Sequence, residues 1–287
     1  MIYLLLSVVF STSLFVIFKY FDIFKIDTLK AIVVNYFVAF ALGFSLTESE
    51  ISLSSIPNQP WVYGAIALGL LFVSIFFVMA LTAQRNGVSV VSVAGKMSVV
   101  VPILFGVYLY NESLGVFKII GIIIALVAVY LASVKEDENK HEKAGLLLPI
   151  ILFIGSGAID TTLKYVQKMY VADNEVAIFS GSLFGFAALF GLIILIIKTI
   201  RKPEVFGLKN VVAGIVLGVP NYYSIVFLIK ALQTKGFESS TLFTINNVSI
   251  VIVSTLVGLL LFKEKFSLKN KIGILLAIVG IVLVAAA

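Results

Sequence analysis

Apolar runs of about twenty residues, separated by short polar breaks, follow one another through almost the whole chain. Ten can be marked, near 2–21, 29–47, 61–82, 87–110, 115–134, 145–166, 174–198, 209–231, 237–262 and 268–286. A helix needs about 20 mostly apolar residues to cross the roughly 30 Å hydrocarbon layer of a bilayer. Composition agrees: 61% of the 287 residues are hydrophobic and only 13% charged, where a soluble domain has about a quarter charged. Mean hydropathy is +1.14. The expected fold is an all-α polytopic membrane protein with ten transmembrane helices and no room for a soluble domain. The first run lacks a basic n-region and an A-x-A-like cleavage site, so it reads as the first span and not as a secretory signal.

Several chemistries drop out early. The chain has no cysteine, which excludes disulfides, thiolate metal sites and a cysteine nucleophile. Its one histidine, His141, lies in the charged run KEDENKHEK and reads as a solvated loop residue. Gly95-Lys96 does not complete a P-loop, and GSGAID at Gly155 has Asp160 where a dinucleotide fingerprint needs its third glycine. No catalytic residue, metal ligand or cofactor is expected. The net charge of +6 belongs to membrane ends and not to nucleic-acid binding.

KEDENKHEK, Lys135 to Lys143, divides the chain into halves of five spans each. Shifting one half by 152 residues superposes Gly106 on Gly258, Leu109 on Leu261, Glu112 on Glu264, Gly121 on Gly273 and Ala125 on Ala277. Shifting by 145 superposes Ser11, Lys19 and Tyr20 on Ser156, Lys164 and Tyr165. The organisation is therefore a repeat at 1–134, a linker at 135–143 and a second repeat at 144–287. Because each half has an odd number of spans, the second must enter the membrane from the opposite side. Such inverted repeats characteristically enclose a site near the midplane that is exposed alternately to the two sides.

Glu112 followed nine residues later by Gly121, and Glu264 followed likewise by Gly273, resemble the EamA branch of the drug/metabolite transporter superfamily. SLFVIFK, Ser13 to Lys19, resembles its first span. ALTAQRNGVSVVSVAGKMSVVVPILFGVYLYNE, Ala80 to Glu112, resembles its unit of third and fourth spans. Ser11-Thr12 stands where the family commonly has Trp-Gly. The resemblance implies ten helices in two inverted five-helix repeats, a central cavity, and export or exchange of small metabolites.

Lys96 is the residue that apolar packing cannot explain. If the fourth helix begins near Gly87, Lys96 lies about 13 Å along it, close to the bilayer centre. A charge there costs on the order of 3 kcal/mol unless it meets water or a partner. It is read either as a cation facing an anionic part of a substrate, as a lysine that exchanges a proton, or as a packing group paired with a carboxylate or helix carbonyls. Asp160 and Lys164, four residues apart, share a helix face in the favourable order of an intrahelical pair. Lys19 is near a span end, where snorkelling is easy, but it is the repeat mate of Lys164. Asn35, Asn221, Tyr222, Asn246 and Asn247 complete the substrate-binding candidates; interhelical hydrogen bonding is their alternative role. Pro102 and Pro220 are expected to bend their helices. Glu112 and Glu264 are expected to cap the helices that follow them.

The expected function is secondary transport of a small organic metabolite, such as an amino acid or related carboxylate, across the cell membrane. Expected partners are that substrate, membrane lipids and a coupling proton or ion, with no nucleic acid. Export of lipophilic cations or drugs is the first alternative; a membrane enzyme acting on lipids and a nonselective channel are the others. Basic residues crowd the odd-numbered connections, with Lys25, Lys30 and Arg85 early and Lys263, Lys265, Lys269 and Lys271 late. The even-numbered ones hold Lys118, Lys168, Lys230 and Lys235. This bias puts the odd connections in the cytoplasm and both termini outside, opposite to what the resemblance implies. Single cysteines replacing Ser54 and Lys202 test the orientation with an impermeant maleimide on intact cells. Labelling at 54 with protection at 202 is expected; the reverse pattern overturns the charge argument.

Overall fold

The computed structural model describes residues 2–45, 53–110, 115–133, 145–172, 175–201, 203, 205–232 and 239–285. Among these residues the only regular structure is helical. The helices are α1 (Ile2–Ile23), α2 (Thr28–Ser45), α3 (Val62–Arg85), α4 (Val88–Met97), α5 (Val100–Tyr110), α6 (Val116–Ser133), α7 (Leu147–Tyr170), α8 (Val176–Arg201), α9 (Leu208–Leu232), α10 (Ser239–Leu260) and α11 (Leu268–Ala285). Each expected span thus corresponds to helix, with ends displaced by a few residues. Among the described residues seven stretches are long and apolar enough to cross a membrane, with shorter apolar helices at Ile119–Ser133 and Ile245–Leu260. A short 3₁₀ turn at Leu53–Asn58 has no counterpart in the sequence reading.

The fourth span differs from the expectation of one helix over 87–110, because it is broken into α4 and α5 at Ser98–Val99. Pro102 supplies the reason. It has no N–H to offer the carbonyl of Ser98, and its ring crowds that same carbonyl. The Ser98 carbonyl instead accepts the Val101 amide at 2.9 Å, a tighter turn, while the Ser98 hydroxyl donates to the Gly95 carbonyl at 2.6 Å. α9, by contrast, runs through Pro220 without interruption.

The chain forms two compact units. The first comprises Met1–Tyr20, Val78–Ala158 and Tyr223–Ala287, and the second Phe21–Phe77 and Ile159–Tyr222. In the first, α6 packs along α11 and α4 along α10. A Cβ placed on Gly273 would collide with the Ala132 amide nitrogen, so the α6 and α11 backbones nearly touch. Gly157 of α7 sits against Val101 and the Ser98 carbonyl, at the break.

In the second unit α2 packs along α8, with Gly181 and Gly185 under the rings of Phe44 and Phe40. α9 approaches α2 through Gly214 and Gly218, a GxxxG pair lying on Val34 and Val38. Trp61, fully buried in an apolar cluster with Leu68, Phe179 and Leu183, donates its indole N–H to Glu175 at 3.0 Å.

Asp27 caps the N-terminus of α2. Its carboxylate accepts the Lys30 amide at 3.2 Å and the Lys198 ammonium at 2.9 Å, with the Lys30 ammonium at 3.6 Å. Burial alone would raise its pKa, but the bond from Lys198, the backbone bond and the two cations outweigh burial and hold it below the ordinary carboxylate value. A depressed folded-state pKa contributes stability above the unfolded value of 3.8 that is lost as pH falls through the folded value. Asp27→Asn keeps a capping side chain and removes the charge. It should lower the melting temperature of detergent-purified protein at pH 7. The difference from the parent should shrink below about pH 4, where the parent's own carboxyl takes up its proton.

Candidate functional site

The first unit contains the most chemically distinctive arrangement among the described residues. α4 begins at Gly87, whose φ of 109° is open to glycine and unfavourable for side-chain-bearing residues. The first amides of any helix lack intrahelical partners. Here Val88 N–H donates to Glu264 Oε1 at 2.7 Å, and Ser89 donates to Oε2 through its hydroxyl at 3.1 Å and its amide at 3.5 Å. Glu264 therefore caps α4, 176 residues away, and not the helix that follows it. That corrects the sequence expectation. α11 is capped locally: Ser267 N–H donates to Asn270 Oδ1 at 3.0 Å and Asn270 N–H to Ser267 Oγ at 3.2 Å. Because Ser267 and Asn270 already serve α11, Glu264 is left for α4. Glu112, its repeat mate, lies outside the described residues.

The cradle around Glu264 excludes larger groups. A Cβ on Gly87 would meet the Glu264 carboxylate at 2.7 Å, and one on Gly258 would collide with Glu264 Oε2 and lie 2.8 Å from Ser89 Oγ. One turn farther along, Ser254 Oγ donates to Ser92 Oγ at 2.5 Å. Advancing from Ser89 to Ser92 on α4 thus means retreating from Gly258 to Ser254 on α10, so the two helices run antiparallel. Ser89, Ser92 and Lys96 have the i, i+3, i+7 spacing of one helix face. The same register carries Lys96 level with Ile250, next to the turn that holds Asn246 and Asn247. Lys96 is half-buried in the last turn of α4, immediately before the break. Asn246 and Asn247 are buried on α10, and Asn246 Oδ1 has no hydrogen-bond partner among the described residues.

A cavity of about 450 Å³ opens at the α4 N-terminus. Its walls include Lys19, Arg85, Asn86, Ser89, Ser133, Glu264, Lys265 and Asn270. Lys19 is tied down and does not snorkel freely, since its ammonium donates to the Gln84 carbonyl at 2.8 Å while Gln84 Nε2 donates to the Phe18 carbonyl. Asn86 Nδ2 donates to the Gly145 carbonyl, which leaves its buried Oδ1 unpartnered among the described residues.

The remaining candidates lie in the second unit. Asn35, fully buried on α2, accepts a hydrogen bond from Asn221 Nδ2 of α9 at 3.1 Å. This bond reinforces the Gly214–Gly218 approach. Tyr222 packs near Gly43, where an added Cβ would lie 3.7 Å from its ring. Asp160 and Lys164 are both exposed on α7, with Asp160 about 20 Å from the helix start. Structure thus joins Asn35 with Asn221, and it groups Lys19, Lys96, Asn246 and Asn247 in the unit that holds the cavity. Sequence reasoning missed Ser89, Ser92, Ser254, Arg85 and Lys265. The serines were legible as polar residues at helical spacing from Lys96 within an apolar run.

The cap yields a graded expectation. Gly258→Ala drives a methyl group into the carboxylate and should lower thermal stability by about 2 kcal/mol. Glu264→Ala should cost about 1 kcal/mol as a lost cap, and Glu264→Gln less, because an amide oxygen can still serve Val88. In a Glu264→Ala background Gly258→Ala should cost less than in the parent, since the remaining close neighbour is the Ser89 hydroxyl, which can turn away. Melting of the four variants in detergent measures this coupling.

Comparison with known proteins gives a consistent result. The EamA-like transporter family matches residues 1–134 and 145–286. An uncharacterized protein of Haemophilus influenzae is 29% identical over 261 residues, 88% of this chain and 86% of that protein. The probable glucose uptake protein GlcU of Priestia megaterium is 24% identical over 223 residues, 73% of this chain and 74% of its own. A protein crystal structure, 15% identical, superposes with a TM-score of 0.56 over 98% of this chain and 94% of its own, a likeness of fold.

Proposed function

The chain belongs to the EamA-like transporter family, and from that premise we propose that it carries a small organic metabolite bearing a carboxylate, of the amino-acid type, across the cell membrane by alternating access. Membership makes it a transporter and not an enzyme, with ten membrane helices in two inverted five-helix repeats. The repeats are assigned to 1–134 and 144–287, joined by the linker 135–143.

The observation that carries the substrate class is Lys96. It stands in an otherwise apolar span, at the end of α4, where Pro102 interrupts the helix one turn later. Helix interruptions within membrane spans are tolerated where the backbone is buried in protein or lines a water-filled cavity. A lysine at such a place is positioned to meet an anion near the midplane, with Asn246 offering an acceptor to a substrate N–H or O–H. Asp160 and Lys164 support a hydrated path along α7, since an exposed carboxylate within a span faces water in preference to lipid. A coupling proton or ion completes the cycle, with Lys96 or Asp160 as its carrier.

Two other readings have a specific observation each. Export of a lipophilic cation draws on exposed Asp160, but Lys164 lies one turn away on the same helix face. Uptake of a neutral sugar draws on the GlcU relative. Counterflow in proteoliposomes separates them by the solute that shows trans-stimulation: a carboxylate, an organic cation or glucose.

Lys96→Met should abolish carboxylate counterflow while leaving expression and melting near those of the parent. Asn246→Leu should raise the melting temperature, because it removes an unpartnered buried acceptor, and lower the transport rate. A Lys96→Met protein that unfolds, with no other substitution at 96 restoring it, would assign the lysine to packing.

A further inference from the structure

Lys96 is one cation in the first unit; the cavity at the start of α4 presents three more. Lys19 comes from the end of α1, Arg85 from the end of α3, and Lys265 from the turn between α10 and α11. Among the described residues the acid lining the same cavity is Glu264. Its charge is already engaged, because both oxygens are held by the first amides of α4 and the Ser89 hydroxyl, where the helix dipole also favours a negative group. The described lining thus carries three cationic side chains against one carboxylate. A cleft lined by one sign of charge, with apolar walls around it, concentrates ions of the opposite sign.

The volume, about 450 Å³, lies within the range of small-molecule sites. Lys19 is held in place by its bond to the Gln84 carbonyl, which fixes part of the cationic lining without consuming all three of the ammonium's donors. Asn86, Ser133 and Asn270 add amide and hydroxyl groups to the wall.

We propose that this cavity is an anion-capture site, which takes up the carboxylate of a small metabolite through Lys19, Arg85 and Lys265. That the captured metabolite is the transported one rests on the transport reading above. Capture itself does not, and so it can be measured without transport.

The probes are acetate, succinate and inorganic phosphate, each titrated against the full chain purified in detergent, with thermal stabilisation as the readout. The parent should be stabilised saturably by at least one of them. Lys19→Gln combined with Lys265→Gln should weaken the half-saturating concentration about tenfold, and added salt should weaken that of the parent in the same direction. Lys271→Gln, on α11 and not part of the cavity lining, should behave as the parent. Two results overturn the proposal: no stabilisation by any of the three anions, or stabilisation to which the double variant is indifferent. If protection comes only from phosphatidylglycerol in nanodiscs and is lost in the double variant, the cations hold a lipid headgroup and the metabolite proposal also falls. Should the double variant fail to fold, Arg85→Gln with the salt titration of the parent decides in its place. Anion binding that follows this pattern in a protein without counterflow activity would leave the capture site standing and remove the transport reading alone.

Discussion

Between helices in hydrocarbon there is no hydrophobic force to press surfaces together, since lipid tails are as apolar as leucine. Packing must come from how closely the backbones approach. Among the described residues that approach is made by glycine at several close contacts: Gly273 of α11 against α6, Gly214 and Gly218 of α9 against α2, Gly181 and Gly185 of α8 beneath the phenylalanines of α2, and Gly157 of α7 against the break between α4 and α5. A methyl group at several of these places would sit within 3 Å of a neighbouring backbone atom. The polar residues then act on helices already close enough to be bridged, as the Ser92–Ser254 and Asn35–Asn221 bonds do.

The repeat acquires a physical meaning from these contacts. α6 and α11 are the last spans of the two halves, and the residues superposed by the sequence shift, Gly121 and Ala125 on one and Gly273 and Ala277 on the other, lie on helices that pack together. Gly280 approaches Ala125 and the Gly121 carbonyl. α4 and α10, equivalent in the same way, also pack, and in the second unit so do α2 and α8. Equivalent helices pairing with each other is what a local two-fold relation between inverted halves produces.

Much of this was legible from residue types alone. Span number and approximate ends follow from the length of each apolar run, because the bilayer sets that length. Lys96 stood out because a charge has no place in such a run. The break after it was only half legible: Pro102 announced a bend, but where the helix gives way depends on the Ser98 carbonyl and on Gly157 lying against it. Glu264 shows the limit most clearly. Its sequence position, just before a helix, suits a local cap. Its partner lies 176 residues earlier, and only the meeting of the α10–α11 turn with the start of α4 creates the bond. Asn35 and Asn221 carried the same ambiguity between ligand and neighbour, and their mutual hydrogen bond depends on a glycine pair that periodicity does not flag.

The Glu264 cradle also constrains how relatives of this chain can diverge. Gly87 holds a backbone angle that accommodates the carboxylate, Gly258 leaves the space it fills, and Ser89 contributes the hydroxyl that it accepts. Without the acid Gly258 and Ser89 lose their partner, whereas Gly87 is still required by its φ of 109°. Drift at Glu264, Gly258 and Ser89 is therefore correlated: loss of the glutamate releases Gly258 and the serine together, whereas a change at Gly258 is tolerated only after the glutamate has gone. Across an alignment they should covary as one character, separated in sequence and inherited as a block.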